Sequence, residues 1–233
     1  MPEELQRRET RIARIREAKR ALEERAREQA QSEGEDAENA QPTPKAQYNF
    51  SDPESRMLKG PDGFLQGYNT QIAVEPVFQL IVGQRVTQAA NDKQQMVPLV
   101  EAIEEQSGQK PEVIVADSGY CSDENLKYLA KKKLEGFVAT EKQKHGQPNL
   151  HCPRGPLPRE ASRVARMERK LETKFGAAVY ATRKFIVEPV FGQIKQARGF
   201  RQFLLRGIEK VRGEWALICM THNLLKFHKI CSG

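Results

Sequence analysis

The sequence predicts an α/β fold, because short apolar runs of strand length alternate with longer segments of helical periodicity. Residues 68–75 and 80–87 alternate apolar and polar side chains, which favours an antiparallel hairpin. Residues 112–116 and 136–140 are short and continuously apolar, a pattern typical of strands buried on both faces. These observations together predict a sheet flanked by helices.

Two helices are predicted between these strands. The first spans 93–106, and Asp92 is a suitable N-cap for it. The second is capped by Ser122 or Asp123 and ends near Lys131. The predicted order is therefore strand, strand, helix, strand, helix, strand.

The C-terminal part predicts a loop and two further helices. Residues 142–160 are polar and rich in proline, which favours a loop. Helices are predicted over 180–196 and 208–227 from their apolar spacing. Three residues of the last helix are predicted to belong to the core: Trp215, Met220 and His222.

The N-terminal residues are predicted to lie outside the single folded domain, as a charged helix and a linker. Residues 1–31 form a charged helix with a thin apolar stripe, which favours an exposed or weakly coiled helix over a stable coiled coil. Residues 32–45 are acidic and contain proline, as expected of a disordered linker. The predicted domain spans 46–233.

The charge distribution indicates an anionic partner. The chain has a formal net charge of +7, and residues 161–233 contain 15 Lys and Arg against 5 Asp and Glu. A basic C-terminal third on a nearly neutral body indicates a surface that faces phosphate. A solvated charged face is the alternative reading of the same pattern.

The cysteines and the hydropathy of the sequence indicate the cellular compartment of the protein. Four scattered cysteines without a CxxC motif favour reduced thiols and a cytoplasmic location. His145 with His151 and Cys152 is a weak candidate for zinc, because a second ligand pair is missing. No apolar run approaches the ~20 residues of a membrane span, so no membrane partner is expected.

Two acidic residues carry the predicted chemistry. Asp117 ends the strand at 112–116, and Glu188 lies on the helix predicted over 180–196. Carboxylates suit a hard divalent cation, and a basic strip suits the phosphates of nucleic acid. Each acid alone has a simpler reading, as a helix cap or a surface residue. The basic strip consists of Lys195, Arg198, Arg201 and Arg206.

Four sequence segments are informative: DPESRMLKG, GYNTQIAVE, ADSGY and VEPVFGQIKQARGFRQFLLRG. They resemble motifs of bacterial insertion-sequence DDE transposases, which have a ribonuclease H-like fold. The resemblance covers about residues 46–228. It implies a mixed sheet flanked by helices, with Asp117 and Glu188 as catalytic ligands of Mg²⁺ or Mn²⁺. It also implies DNA as partner, and a homo-oligomer or a hetero-oligomer with intact transposase during synapsis.

The resemblance does not decide which basic residue before Glu188 contacts phosphate. In such transposases a Tyr and an Arg precede the Glu, and a Lys follows seven residues after it. Glu188 and Lys195 fit this spacing, whereas Tyr180 and Arg183 lie one residue further from Glu188. Either Arg183 or Lys184 is therefore the expected phosphate contact.

The resemblance also implies that the first acid is missing. In this family it lies on the first, central strand within an Asp-Gly-Thr-like string, and no such string occurs here. The chain is therefore expected to be a C-terminal part of the catalytic domain, without the central strand. Asp52 is interpreted as a turn residue or as an acid that replaces the missing first catalytic aspartate. The alternatives are an enzyme completed by another first acid, an inactive DNA-binding remnant or inhibitor, and another ribonuclease H-like nuclease.

Overall fold

The residues that the computed structural model describes are 3–34, 36–60, 63–141 and 155–232. The chain divides into two units, Met1–Gly67 and Tyr68–Gly233. Most of the predicted loop, residues 142–154, lies outside the described residues, and so do the histidines and the cysteine considered for zinc.

The first unit contains a long helix and a hairpin. Helix α1 (Glu3–Glu33) has neither Gly nor Pro in its interior and is followed by Gly34, whose φ of 74° is left-handed. Strands β1 (Arg56–Gly60) and β2 (Gly63–Gly67) pair antiparallel. The helix was expected from the sequence, but the hairpin was not, because its strands have no buried face.

The second unit begins with the predicted antiparallel pair, β3 (Asn69–Val74) and β4 (Ile81–Thr87). Helices α2 (Met96–Ser107) and α7 (Ile208–Ser232) pack on β4. Gly108 ends α2 with a left-handed φ of 64°. The buried core here comprises Ile72, Ile81, Val86, Val190, Ile194, Val211, Trp215, Ile218 and Cys219.

A parallel pair forms the second sheet of this unit. Strands β5 (Val113–Ala116) and β6 (Glu135–Val138) are joined through α3 (Asp123–Lys132). Ser122 caps α3, because its hydroxyl accepts a hydrogen bond from a backbone N–H of the first turn. The prediction that β5 is buried on both faces is wrong: Val113 is 47% exposed, and the rest of β5 is only half-buried.

The two sheets of the second unit are separate. Among the described residues, β3 has only β4 as a strand neighbour, and β5 has only β6. One edge of β3 and one edge of β5 therefore have no described strand beside them. The α/β class is confirmed by this mixture of short sheets and helices. None of the described helices is long and apolar enough to cross a membrane.

The helical segment between β6 and α7 differs from the prediction. Its elements are α4 (Arg163–Glu172), α5 (Lys174–Ala181), α6 (Arg183–Gly192) and a π-helical segment, Gln193–Ala197. The helix predicted over 180–196 is confirmed in part: the segment is helical, but it is divided at Thr182 and becomes π-helical from Gln193. Thr182 keeps helical backbone angles, and its hydroxyl donates to the Val179 carbonyl at 2.6 Å. Helix α4 was not expected, although its half-buried Val164 and Met167 pack against the core that includes Val138.

Two of the three core predictions for α7 are confirmed. Trp215 and His222 are 4% and 2% exposed. Burial lowers the pKa of His222, whose Nε2 lies 3.1 Å from the Gln79 carbonyl oxygen. The prediction for Met220 is wrong: its side chain is 51% exposed, because only one face of α7 packs on the sheet.

The turn between β3 and β4 fastens two helices. Gln79 adopts a positive φ of 60°, and its side-chain amide donates to the Phe185 carbonyl of α6 at 2.9 Å. Its side-chain oxygen accepts from Lys226 of α7 at 2.7 Å. Asn223 bonds both the N–H and the carbonyl of Ile81, each at 2.8 Å. Helices α6 and α7 are thereby fixed to the same hairpin.

We expect Asn223→Ala to lower the free energy of unfolding by about 1–3 kcal/mol, because the N–H and carbonyl of buried Ile81 lose their partner. Urea denaturation measures this change. Lys229→Ala, at an exposed position of the same helix, is the control and should change stability by less than about 0.5 kcal/mol. Equal stability of the two variants would contradict the anchoring role.

Candidate active site

Asp117 directly follows β5, and the turn after the strand holds its carboxylate. Oδ1 accepts a hydrogen bond from the Gly119 N–H at 2.9 Å and so caps the 3₁₀ turn Ser118–Tyr120. Helix α3 has its own cap in Ser122, so Asp117 is not the cap of that helix. The second oxygen, Oδ2, is left to face a cation.

The guanidinium of Arg183 lies between Asp117 and Glu188. Nη1 is 3.8 Å from Asp117 Oδ2, and Nη2 is 3.8 Å from Glu188 Oε1. The Arg183 side chain is 25% exposed, whereas that of Glu188 is 58% exposed. Two acids far apart in the sequence therefore share one cation. The neighbouring Lys184 is exposed.

Two tyrosines lie beside this group. The guanidinium carbon of Arg183 is 6.0 Å from the ring centroid of Tyr180, whose pKa is raised chiefly by burial. Burial also raises the pKa of Tyr120, and the negative charges of Asp92 and Asp117 raise it further. Both hydroxyls are therefore protonated and neutral near pH 7.

The prediction that Asp92 caps α2 is wrong. The helix begins at Met96, and the residue before it makes no side-chain cap. The Asp92 carboxylate turns to β3 instead, where Oδ1 accepts from Asn69 Nδ2 at 2.7 Å and from Gln71 Nε2 at 2.8 Å. These two amide donors outweigh the single backbone N–H that a cap would satisfy.

Asp92 and Asp117 face each other across Gly119. A Cβ on Gly119 would lie 2.9 Å from Asp92 Oδ2 and 3.0 Å from Asp117 Oδ1. Sequence reasoning missed Asp92 as a site residue. The sequence carried no signal for it, because Gln71 lies opposite Ile72 and Val74 on the polar side of the alternation in β3, and its burial (4% exposed) is seen only in the fold.

Two of the side chains at this site offer the oxygen donors that a hard divalent cation prefers. Asp117 and Glu188 offer carboxylate oxygens, and the guanidinium of Arg183 already occupies the space between them as a cation. The buried Nε of Arg183 has no hydrogen-bond partner among the described residues, so this side chain is not fully satisfied where it lies. Within the described part of the chain, no three acidic, histidine or cysteine side chains converge enough to enclose an ion. An ion here would keep water or substrate ligands.

The predicted basic strip divides into exposed and engaged residues. Lys195 is exposed, with Nζ 5.1 Å from the centroid of the Phe191 ring. Arg201 is exposed and donates to the side-chain oxygen of Gln196, and Arg206 is exposed as well. These three cations are accessible to an anionic ligand.

Arg198 is engaged inside the fold. Its Nη1 donates to the Ile218 carbonyl of α7 at 2.9 Å, and its Nη2 donates to the Thr221 hydroxyl. The guanidinium carbon lies 4.8 Å from the centroid of the Phe200 ring. Burial lowers the pKa of Arg198. This residue ties the π-helical segment to α7.

We expect Gly119→Ala to destabilise the protein by about 1–3 kcal/mol, because the added methyl group would overlap the oxygens of Asp92 and Asp117. Gly213→Ala is the matched control in α7, where a Cβ meets nothing within 4 Å. It should stabilise the protein by about 0.5–1 kcal/mol through helix propensity. Thermal or urea unfolding measures both changes, and a neutral Gly119→Ala would show that the two carboxylates are not packed against this turn.

The sequence matches a known protein family. The family model described as the transposase DDE domain matches residues 42–224, which include both Asp117 and Glu188. No curated protein and no solved structure shows a significant match. The resemblance to DDE transposases is confirmed, and with it DNA transposition as the general function and divalent metal as the usual requirement of the family. Because the match covers most of the sequence, this chain belongs to the transposase DDE domain family of mobile genetic elements.

Proposed function

We propose that this chain is part of the catalytic domain of a transposase, and that Asp117 and Glu188 bind Mg²⁺ or Mn²⁺ for cleavage and strand transfer of DNA. The contact of Arg183 with both acids is the observation that carries the proposal. A strand-end aspartate and a helix glutamate are held around one positive charge. Such an arrangement suits metal-dependent phosphodiester chemistry.

The residues of the site have distinct roles in this proposal. A bound divalent ion would activate a water or a 3′-hydroxyl and stabilise the leaving oxygen. Asp117 is the rigid ligand, because the Gly119 N–H fixes one of its oxygens. Glu188 is the adaptable ligand on an exposed helix face. Arg183 contacts both acids in the free protein, where its single positive charge offsets part of their negative charge, and it would pair with a DNA phosphate in the complex.

The exposed cations are proposed to bind the DNA backbone. Lys195, Arg201 and Arg206 follow Glu188 along the chain, and all three are exposed. Lys184 is also exposed and would contact phosphate outside the acid pair. Arg198 contributes indirectly, by holding the segment that carries Lys195. Such contacts give affinity without sequence readout.

We further propose a ribonuclease H-like sheet whose central strand and first acid come from another segment. The support is the separation of the β3–β4 pair from the β5–β6 pair among the described residues. A strand between them would satisfy the open edges of β3 and β5. The segment would belong to the same longer protein or to a partner subunit. Asp52 lies in the first unit, where its carbonyl accepts from Ser55, and it stays a turn residue in this proposal.

An inactive DNA-binding remnant or an inhibitor of the intact transposase is the second candidate. One observation favours it: within the described residues, no three carboxylates converge on one ion. Mg²⁺-dependent cleavage of DNA by the purified chain would exclude this candidate. Oligomerisation during synapsis and a cytoplasmic location remain predictions from the family and the composition.

We expect Asp117→Asn and Glu188→Gln each to weaken Mn²⁺ binding at least about tenfold, because each removes one anionic ligand. Electron paramagnetic resonance of free Mn²⁺ measures the dissociation constant directly. Glu209→Gln, an exposed glutamate paired with Arg212, is the control and should leave binding unchanged. Mn²⁺ affinity that is the same in all four proteins would refute the proposed metal site.

We expect DNA binding to weaken steeply with salt. Replacing Lys195, Arg201 or Arg206 by Ala should each reduce the slope of log K against log [salt] by about 1, because each removes one phosphate contact. Fluorescence anisotropy with a labelled duplex at several salt concentrations measures the slope. Lys127→Ala, an exposed lysine on α3, is the control. Unchanged slopes in the three variants would show that DNA binds to a different surface of the chain.

A further inference from the structure

We propose that the exposed face of α7 binds α7 of a second copy of this chain in antiparallel orientation, so that the free protein forms a symmetric dimer. This inference goes beyond the proposed function, because the pairing needs neither DNA nor a metal ion. It concerns a surface within the second unit alone.

Helix α7 has apolar side chains on two opposite sides. One side packs on the sheet and includes Val211, Trp215 and Ile218, which are at most 5% exposed. On the opposite side the large apolar residues are 51–61% exposed. They recur at alternating intervals of four and three residues, as in a heptad repeat. This exposed face, the α7 seam, consists of Gly213, Leu217, Met220, Leu224, Phe227 and Cys231. A helix that is apolar on both sides is typical of a helix covered on both.

The α7 seam has the same spacing in both directions along the helix, about a centre at position 222. A two-fold axis at this centre places Leu217 opposite Phe227 of the second copy, and Met220 opposite Leu224. Gly213 then lies opposite Cys231, so small residues meet at both ends of the seam. A surface that matches itself in this way is what an isologous interface between identical chains requires.

The charged residues of α7 lie away from the seam. Between positions 213 and 231 they are Glu214, Lys226 and Lys229. Glu214 accepts hydrogen bonds from two backbone N–H groups of the preceding loop, and Lys226 donates to the side chain of Gln79. Lys229 follows His222 by seven residues and therefore lies on the packed side of the helix. Two copies, each with a formal net charge of +7, can approach on this face without opposing like charges.

An apolar groove of about 450 Å³ widens this surface. It lies between α7 and the start of β4, where Leu80 and Ile81 form one wall. Met220, Leu224 and Phe227 of the seam form the other wall. The second copy therefore meets a continuous apolar surface with a depression that can receive its side chains, as the packing of knobs into holes requires.

The size of this surface fits a reversible dimer. Covering the seam and the groove on both copies removes on the order of 1,000 Å² of apolar surface from water. This area is about the lower limit for a specific interface between proteins. We therefore expect monomer and dimer in an equilibrium that depends on protein concentration.

Sedimentation equilibrium of the purified chain, without DNA or divalent metal and at high ionic strength, tests the pairing. We expect a monomer–dimer equilibrium for the wild type. Leu224→Glu should raise the dissociation constant at least about tenfold, because the two-fold axis brings two carboxylates into the middle of an apolar interface. Leu204→Glu is the matched control: this leucine lies outside α7, is 78% exposed and should leave the constant unchanged.

Circular dichroism and thermal unfolding verify that both variants are folded. A wild-type chain that stays monomeric at all concentrations would overturn the proposal. A dissociation constant in folded Leu224→Glu equal to that of the wild type would overturn it as well. Because the experiment contains neither DNA nor metal, its failure leaves the proposed function of Asp117 and Glu188 untouched.

A cross-link tests the orientation, and it decides the question if Leu224→Glu fails to fold. In a chain with Cys121 and Cys152 replaced by Ser, we expect Gly213→Cys to give a covalent dimer when diamide oxidises its thiol and that of Cys231. Position 213 has room for the new side chain, since a Cβ there meets nothing within 4 Å. The same chain with Gly213 retained is the control. In it the two Cys231 residues would lie about 27 Å apart along the paired helices, too far for a disulfide.

Each result of the cross-link has one meaning. A covalent dimer only with Gly213→Cys supports the antiparallel pairing of α7. A covalent dimer through Cys231 alone would show a parallel pairing and overturn the proposed arrangement. No covalent dimer in either chain would overturn the interface itself.

Discussion

The turn at Gln79 determines where the candidate site lies. Its backbone takes a left-handed conformation, and its carbonyl and both ends of its side chain bond to α6 and α7. Helix α6 carries Arg183 and Glu188. The turn that contains Gln79, between β3 and β4, therefore helps to set their position relative to β3. The buried residues of α6, such as Val190, complete the same core. The acid on the helix thus depends on a turn distant from it in sequence.

Electrostatics then joins the two halves of the second unit. Asp117 follows one sheet, Asp92 is hydrogen-bonded to the other, and Glu188 of α6 shares Arg183 with Asp117. Asp117 and Glu188 carry two negative charges, and the single charge of Arg183 offsets only part of them. This cation joins the end of β5 to helix α6, so the contact holds together segments that are far apart in the sequence.

Sequence reasoning found most of the elements that have a clear apolar period. The β3–β4 pair, α3 and the core face of α7 all have apolar patterns, and they were found. Helix α4 was missed although Val164 and Met167 give it an apolar side, and the break at Thr182 could not be predicted because that residue keeps helical backbone angles. Asp117 and Glu188 were selected by motif. The geometry that unites them with Arg183 and Asp92 depends on contacts between distant segments, which no local period encodes.

The open edges of β3 and β5 have a consequence for handling the protein. A strand edge with free N–H and carbonyl groups is a template for any extended peptide. Within the described residues, neither edge is blocked by a strand. Two such edges in one molecule would allow chains to pair edge to edge, and we expect this pairing to increase with protein concentration.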